Sequence, residues 1–212
     1  MMLMENTPRE TALEAGGFVK GVAVALVLNN RDPEGLGRVK VSYPWHNQPR
    51  DSFWARIAVA MAGNDRGNYF LPEVDDEVQV AFERGDLRFP YVIGALWNGQ
   101  DRPPANNDDG NNDVRLIRTR KGHILTFDDG ERGMVQLELN DGKKLRIDDD
   151  GIALDDTQGN SLLIQTSSQA VTIEARGTLT LKAASMSIEA TGTLDIKSNA
   201  TLSVTGTLVQ IN

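Results

Sequence analysis

The sequence predicts an all-β protein made of two parts, and three observations lead to that prediction. Short runs in which apolar and polar residues alternate recur along the 212 residues, and this two-residue period is typical of strands with one buried face. No stretch shows the apolar spacing of an amphipathic helix. The segment 161–212 repeats one short pattern, which indicates a fold built from stacked copies of a single strand unit.

That C-terminal segment contains a ladder of apolar pairs. Each pair encloses one polar residue, and the phrase Gly-Thr-Leu begins at Gly177, Gly192 and Gly206. Small and turn-forming residues between the pairs predict sharp corners. The ladder residues are Val171, Ile173, Leu179, Leu181, Met186, Ile188, Leu194, Ile196, Leu202 and Val204.

One copy of this ladder is not expected to fold alone. A thin single-chain coil buries too little apolar surface to offset the entropy cost of ordering its backbone. Three copies around a common axis would turn each apolar pair toward two others and would pair every strand edge with a neighbouring chain. The sequence therefore predicts an intertwined homotrimer. In it the segment forms a triple-stranded β-helix or prism, with the ladder residues as its core.

The N-terminal half predicts a small barrel. Five strand candidates are bounded by turn formers, at 18–28, 38–43, 53–60, 78–83 and 91–97. Five strands in about eighty residues is the content of an OB-fold barrel. We predict an N-terminal arm at 1–16, an OB-fold domain at 17–98, a linker at 99–113, a transition region at 114–160 and the regular β-helix at 161–212.

The composition makes some classes of function less favourable. The net charge of −8 disfavours general binding to nucleic-acid phosphates. The sequence has no cysteine, so disulfides and thiolate chemistry are not expected. The first residues lack the uninterrupted apolar core of a secretory signal, which predicts synthesis in a cytoplasm.

Histidines, acidic clusters and aromatic residues are the three candidates for a functional site. His46 and His123 lie far apart with no carboxylate at metal-ligand spacing. Acidic pairs and triplets at 128–129, 148–150 and 155–156 adjoin predicted turns, where Asp serves the backbone, and none matches a calcium loop. Aromatic residues in the barrel could be stacking platforms or core. The sequence predicts no catalytic residue, no metal ligand and no cofactor. The aromatic residues are Tyr43, Trp45, Trp54, Phe70, Phe82 and Trp97.

Many positions in the barrel, in the right order, resemble the OB domain of VgrG and phage baseplate assembly protein V. The resemblance continues through 117–129, the passage from barrel to β-helix in such spikes, and through 209–212, the end of that helix. The large hub domains that precede the barrel in full-length VgrG do not match, which predicts a separately encoded spike or a fragment. The barrel positions that carry the resemblance include Gly37, Arg38, Val39, Trp45, Trp54, Arg56, Pro72 and Gly94.

The resemblance implies the central spike of a contractile injection system, such as a phage tail, a type VI secretion tube or an extracellular particle. It implies a baseplate hub and inner tube as partners, a PAAR-like cap, carried effectors, and brief contact with a target cell envelope. Assembly would occur in a bacterial cytoplasm, with delivery on contraction. The residues expected to dock the cap are Thr207, Leu208, Val209, Gln210, Ile211 and Asn212.

A second interpretation belongs to another class. The chain would be a trimeric OB-fold protein that binds nucleic acid or glycan, and the β-helix would only hold three copies together. A salt-dependent shift with single-stranded DNA would favour the nucleic-acid version.

Overall fold

The computed structural model describes residues 19–46 and 51–211. The predicted arm at 1–16 and the last residue, Asn212, lie outside the described residues. The chain divides into two compact units, Met1–Gly110 and Asn111–Asn212. In the described part the regular elements are strands, apart from one 3-10 turn at Glu83–Gly85, and no helix there is long and apolar enough to cross a membrane. The all-β prediction is confirmed.

The strands of the N-terminal unit are β1 (Val22–Asn29), β2 (Lys40–Ser42), β3 (Arg56–Ile57), β4 (Ala62–Gly63), β5 (Arg66–Gly67), β6 (Glu77–Phe82) and β7 (Pro90–Ala95). Five of them form a curled sheet with the strand order β2-β1-β6-β7-β3. Neighbouring strands are antiparallel except β3 and β7, which are parallel. Single bridges join Val39 to Ala55 and Ser42 to Asp51, so the segment around β3 contacts β2 as well as β7 and closes the curl.

This curl encloses the core of the unit. In β6 every second residue is buried, which is the alternation expected of a strand with one dry face. The buried apolar residues are Ala25, Val27, Val39, Val41, Tyr43, Ala55, Val78, Val80, Phe82 and Val92. Their short, mostly β-branched side chains fit the narrow interior of a small barrel.

The third predicted strand, at 53–60, is shorter than the sequence indicated. Its pairing with β7 ends where the Ala58 amide donates to the Val92 carbonyl (2.8 Å). The chain then forms a small hairpin of β4 and β5, which the sequence did not predict. Gly67 has φ +151°, and a Cβ there would lie 2.6 Å from the Met61 carbonyl oxygen, so this close approach requires glycine.

The C-terminal unit begins with an antiparallel meander of seven strands, in which each strand pairs with the next along the chain. The meander ends at Glu174, beyond the predicted boundary at Ser161, and Val171 and Ile173 of the ladder lie in its last strand. Described residues 175–211 form no strand. The strands are β8 (Val114–Arg118), β9 (Ile124–Asp128), β10 (Met134–Glu138), β11 (Lys144–Asp148), β12 (Gly151–Asp155), β13 (Ser161–Gln165) and β14 (Ala170–Glu174).

Candidate functional site: an uncovered apolar face

The C-terminal unit has no interior of its own in the described part of the chain. None of its residues from 111 to 211 is buried, whereas the whole buried apolar core lies between Ala25 and Val92. A single sheet has two surfaces, and stable domains cover the apolar one with a second layer. This unit therefore leaves its apolar surface open.

The strand register shows which side of the meander is apolar. Residues directly opposite each other in an antiparallel pair share one face of the sheet. Leu125 pairs with Leu137, Leu137 with Leu145, and Leu145 with Leu154, and a second row runs parallel to this one. We call these residues the apolar face: Ile117, Leu125, Phe127, Val135, Leu137, Leu145, Ile147, Ile152, Leu154, Leu162, Ile164, Val171 and Ile173.

The other face of the meander is mostly polar. Gln136 pairs with Arg146, and oppositely charged residues also face each other: Lys144 lies opposite Glu138 on one side and opposite Asp155 on the other. Opposite charges in directly facing positions stabilise a sheet, and like charges destabilise it. The meander thus has one wet side and one side that lacks a cover.

The predicted ladder residues continue the apolar face. Val171 and Ile173 are its last pair, on β14. A groove of about 720 Å³ runs beside one row of the face, and it is lined by Leu154, Leu162 and Ile173 together with Leu179, the first ladder residue after the meander. All ten ladder residues are 52% to 69% exposed in the single chain. Their role as the core of a trimer stays a prediction.

The sequence indicates strand-like pieces at 135–139, 145–147 and 152–154 in the predicted transition region, where the structure has β10, β11 and β12. Sequence reasoning did not recognise that these pieces belong to the same repeat as the ladder. The same pairs, apolar residues two apart, occur at 125/127, 135/137, 145/147, 152/154 and 162/164. Their intervals vary because Asp-rich turns of unequal length separate them, and this irregularity hid the repeat. A search for paired apolar residues that allowed variable spacing would have found it.

The acidic groups predicted to serve turns do so. Asp148 accepts hydrogen bonds from the amides of Asp150 (2.9 Å) and Gly151 (3.1 Å), and contact with the Arg146 guanidinium lowers the pKa of its carboxyl. Asp156 accepts from the amides of Gln158 (2.8 Å) and Asn160 (2.9 Å). Hydrogen bonds from Asn160 lower the pKa of Asp156. These carboxylates shape the corners of the meander.

The histidines have local contacts. His123 Nδ1 accepts a hydrogen bond from the Asn140 amide (3.2 Å), which joins two neighbouring loops. The ring of His46 lies edge-on to Trp45, 6.1 Å away. Within the ranges that the structure describes, no three His, Cys, Asp or Glu side chains lie close enough together to hold a metal ion.

In the OB unit the motif residue Arg38 secures the loop between β1 and β2. Its guanidinium donates to both oxygens of Asp32 (2.8 Å each) and contacts Glu34 (3.0 Å). Asp32 also accepts from the amides of Glu34, Leu36 and Arg38. The hydrogen bonds from Arg38 hold the pKa of Asp32 well below its usual range.

The remaining motif residues also have structural partners. Gly37 has φ +70° and ends the loop, Val39 is in the core, and the Pro72 carbonyl accepts from the Asn30 side chain (3.0 Å). Arg56 lies 5.5 Å from the Tyr91 ring. Gly94 pairs with Gln79 beside a register shift in the sheet.

The barrel aromatics are mostly engaged within the unit. Tyr43 and Phe82 are buried, Trp45 donates to the Val24 carbonyl (2.9 Å), and the Trp54 ring is approached by Arg38 and Lys40 at 5.8 and 5.7 Å. Trp97 and Phe70 are 70% and 65% exposed. These two are the exposed members of the six aromatic residues that the sequence offered as stacking platforms.

Comparison with known proteins agrees with this geometry. Residues 23–97 match the type VI secretion system/phage-baseplate injector OB domain. The chain is 31% identical over 134 residues to the type VI secretion system spike protein VgrG3 of Vibrio cholerae, which covers 58% of this chain and 13% of that protein. It is 40% identical over 72 residues to the spike protein VgrG2a of Pseudomonas aeruginosa, covering 32% and 9%.

A third relative, the actin cross-linking toxin VgrG1 of Vibrio cholerae, is 31% identical over 97 residues, or 41% of this chain and 9% of that protein. The chain thus spans only 9% to 13% of the length of the three relatives named here. The matched barrel, its Arg38 loop and the named spikes lead to one conclusion. Residues 23–97 form an OB domain of the type VI secretion system/phage-baseplate injector kind, and the chain is similar to VgrG spike proteins over as much as 58% of its length.

Proposed function

We propose that this chain is the central spike of a contractile injection system, formed by three copies. The single observation that carries the proposal is the apolar face, because it continues into the ladder and has no cover among the described residues of its own unit. A sheet with such a face needs a partner layer to be stable in water. The names of the spike relatives support the same function.

The partner layer in this proposal is two further copies of the chain. Residues 175–211 are rich in strand-forming residues yet pair with no strand in the single chain, as expected if their hydrogen-bonding partners are on other copies. A closed trimer would pair these edges and cover the ladder at once. The result would be a stiff shaft suited to being driven through an envelope, and its part would be mechanical.

An oligomer measurement on the full chain tests this proposal. The native protein should sediment as a trimer, and Ile188→Asp should dissociate it, because three carboxylates around a dry axis cost several kcal/mol per ion, roughly 3–5 for an unpaired buried charge. Thr180→Asp, at the polar position inside the neighbouring ladder pair and on the expected wet side, is the matched control and should stay trimeric. A stable folded monomer of the native chain would refute the proposal.

The OB unit would seat the spike on its hub and inner tube. It carries a groove of about 650 Å³ bordered by large exposed side chains, among them Leu36 (65%), Tyr69 (78%) and Phe70 (65%). Exposed apolar surface of this kind marks protein-binding sites. Phe70→Asp should prevent incorporation into injection particles while the purified variant remains a trimer.

The far end of the chain would carry a PAAR-like cap, and with it effectors. Thr207 to Ile211 are exposed, with Leu208 at 83% and Ile211 at 90%. Deleting 207–212 should abolish co-purification with such a cap and leave the trimer intact. Unchanged capture would remove this part of the proposal.

We further propose that the spike has no enzymatic activity of its own and that it is assembled in a bacterial cytoplasm before delivery. Its described carboxylates serve turns and ion pairs, as Asp148 and Asp32 do. Purified protein should release no product from peptidoglycan. Turnover that survives removal of contaminating hydrolases would contradict this.

A further inference from the structure

A column of charged residues runs beside the ladder. In each of four successive ladder pairs, the residue directly after the pair is charged, and its sign alternates from one pair to the next. The equivalent positions before each pair, such as Thr178 and Ser185, are small and uncharged. We call the alternating set the charge column: Glu174, Lys182, Glu189 and Lys197.

Among residues 111–211 of its own unit, the charge column has no oppositely charged column beside it. Glu174 pairs with Ser161 on the inner side of β14, and the outer edge of β14 faces no strand of the described chain. Glu189 is approached only by Ser187 of its own segment (3.3 Å) among the described contacts, and Lys197 by Asp195 (3.4 Å). Lys197 remains 81% exposed and Asp195 66%, so these local contacts leave the charges available.

The pattern discriminates between two ways of continuing the sheet. If the chain continued as an antiparallel meander, the residue after one pair would face the residue before the next, as Glu174 faces Ser161 in β13. Glu174 would then meet Thr178, and Lys182 would meet Ser185, so no two members of the charge column would meet. Parallel stacking instead places equivalent positions side by side, and every neighbour along the column is then an opposite charge.

Threefold symmetry supplies this parallel stacking. Three copies that wind around one axis form a prism with three faces, and each chain places its successive strands on successive faces. Along any one face, each strand is therefore followed by a strand of another copy, and that strand carries the next ladder pair in the sequence. Strands about 4.8 Å apart bring equivalent side chains into contact. Glu174 of one copy would then lie beside Lys182 of the second, and that Lys182 would lie beside Glu189 of the third.

From this we infer that the charge column is the device that fixes the axial register of neighbouring chains in the trimer, the partner being a second and third copy of this chain. This inference rests on the proposed trimer. The apolar pairs and the Gly-Thr-Leu corners are nearly the same in every repeat, so they fit equally well after a slip of one pair. The charges do not fit after such a slip, because it would place Glu beside Glu and Lys beside Lys.

The meander uses the same principle inside one chain. Lys144 lies between Glu138 and Asp155 on its polar face, in the row that leads across β13 to Glu174. Charges alternate from Glu138 to Asp155, and the uncharged Ser161 then separates Asp155 from Glu174, where the charge column begins.

A charge-reversal experiment on the full chain tests the inference. Glu189→Lys places a positive charge between Lys182 and Lys197 of neighbouring copies, so trimer dissociation in a fixed urea concentration should become at least about tenfold faster at low salt. The effect should largely disappear in about 1 M NaCl, where the Debye length is about 3 Å. Inverting all four members of the charge column together should restore the native rate.

The matched control is Glu131→Lys, which makes the same change in net charge at an exposed turn residue between β9 and β10. If Glu189→Lys and Glu131→Lys behave alike, or if the fourfold inversion stays as fast as the single reversal, the register inference is wrong and the trimer proposal stands. If the native chain is a monomer, both are wrong. A native trimer with rescue by inversion supports the inference.

Discussion

Truncation of one leucine on the apolar face tests whether that face is covered. Leu154 lies in the middle of the face, between Leu145 and Leu162 on the adjacent strands, and its side chain is 48% exposed in the single chain. In the proposed trimer this exposed half is covered by the other copies. Leu154→Ala should therefore weaken assembly without unfolding the OB unit, which contains none of the residues involved.

The magnitude follows from the exposed fraction. Full burial of a leucine side chain contributes about 1.5–3 kcal/mol, so covering the 48% of Leu154 that is exposed would contribute about 0.7–1.4 kcal/mol per chain. Three copies together give about 2–4 kcal/mol per trimer. The trimer dissociation constant should rise roughly 30- to 1,000-fold.

The assay is the dependence of oligomeric state on protein concentration, measured by sedimentation and followed in parallel by thermal unfolding. The matched control is Leu28→Ala, because Leu28 is 40% exposed on β1 of the other unit. Leu28→Ala should lower the stability of its own unit and leave the trimer dissociation constant near that of the native protein. Equal shifts of that constant in the two variants would refute the assignment of the apolar face to assembly.

Two further predictions concern local structure. Asp32→Asn should lower the thermal stability of the OB unit at pH 7. Hydrogen bonds from Arg38 depress the pKa of Asp32 in the folded protein, so its contribution to folding stability is present above the ordinary pKa of about 3.9 and is lost as the pH falls below that value. The melting curves of the variant and the native protein should therefore converge in acid. Gly151→Ala should prevent β12 from pairing with β13, since φ is +143° and a Cβ would lie 1.8 Å from the Ile164 carbonyl oxygen, at a cost of at least about 1–3 kcal/mol. Gly99→Ala, where nothing lies within 4 Å, is the control, and equal hydrogen-exchange protection of β13 in both variants would contradict the prediction.

The OB unit was largely predictable because its signals are local. Alternation marks β6 directly, and turn residues such as Asp32 and Gly37 bound the strands on either side of them. The hairpin of β4 and β5 was not predictable, because its two-residue strands carry no periodic pattern and depend on one close approach at Gly67. Short elements of this kind are specified by packing and not by alternation.

Sequence alone determined that the segment 161–212 consists of repeated apolar pairs, because the two-residue period and the Gly-Thr-Leu corners can be read without knowing which strand neighbours which. It placed the first pair, Val171 and Ile173, in a regular repeat. Only the tertiary structure decided that this pair closes an antiparallel meander, that one apolar row crosses all seven of its strands and that a second apolar row crosses six of them. The physical reason is that a face exists only once the register is set, since a shift of one residue would send each of those side chains to the opposite side of the sheet.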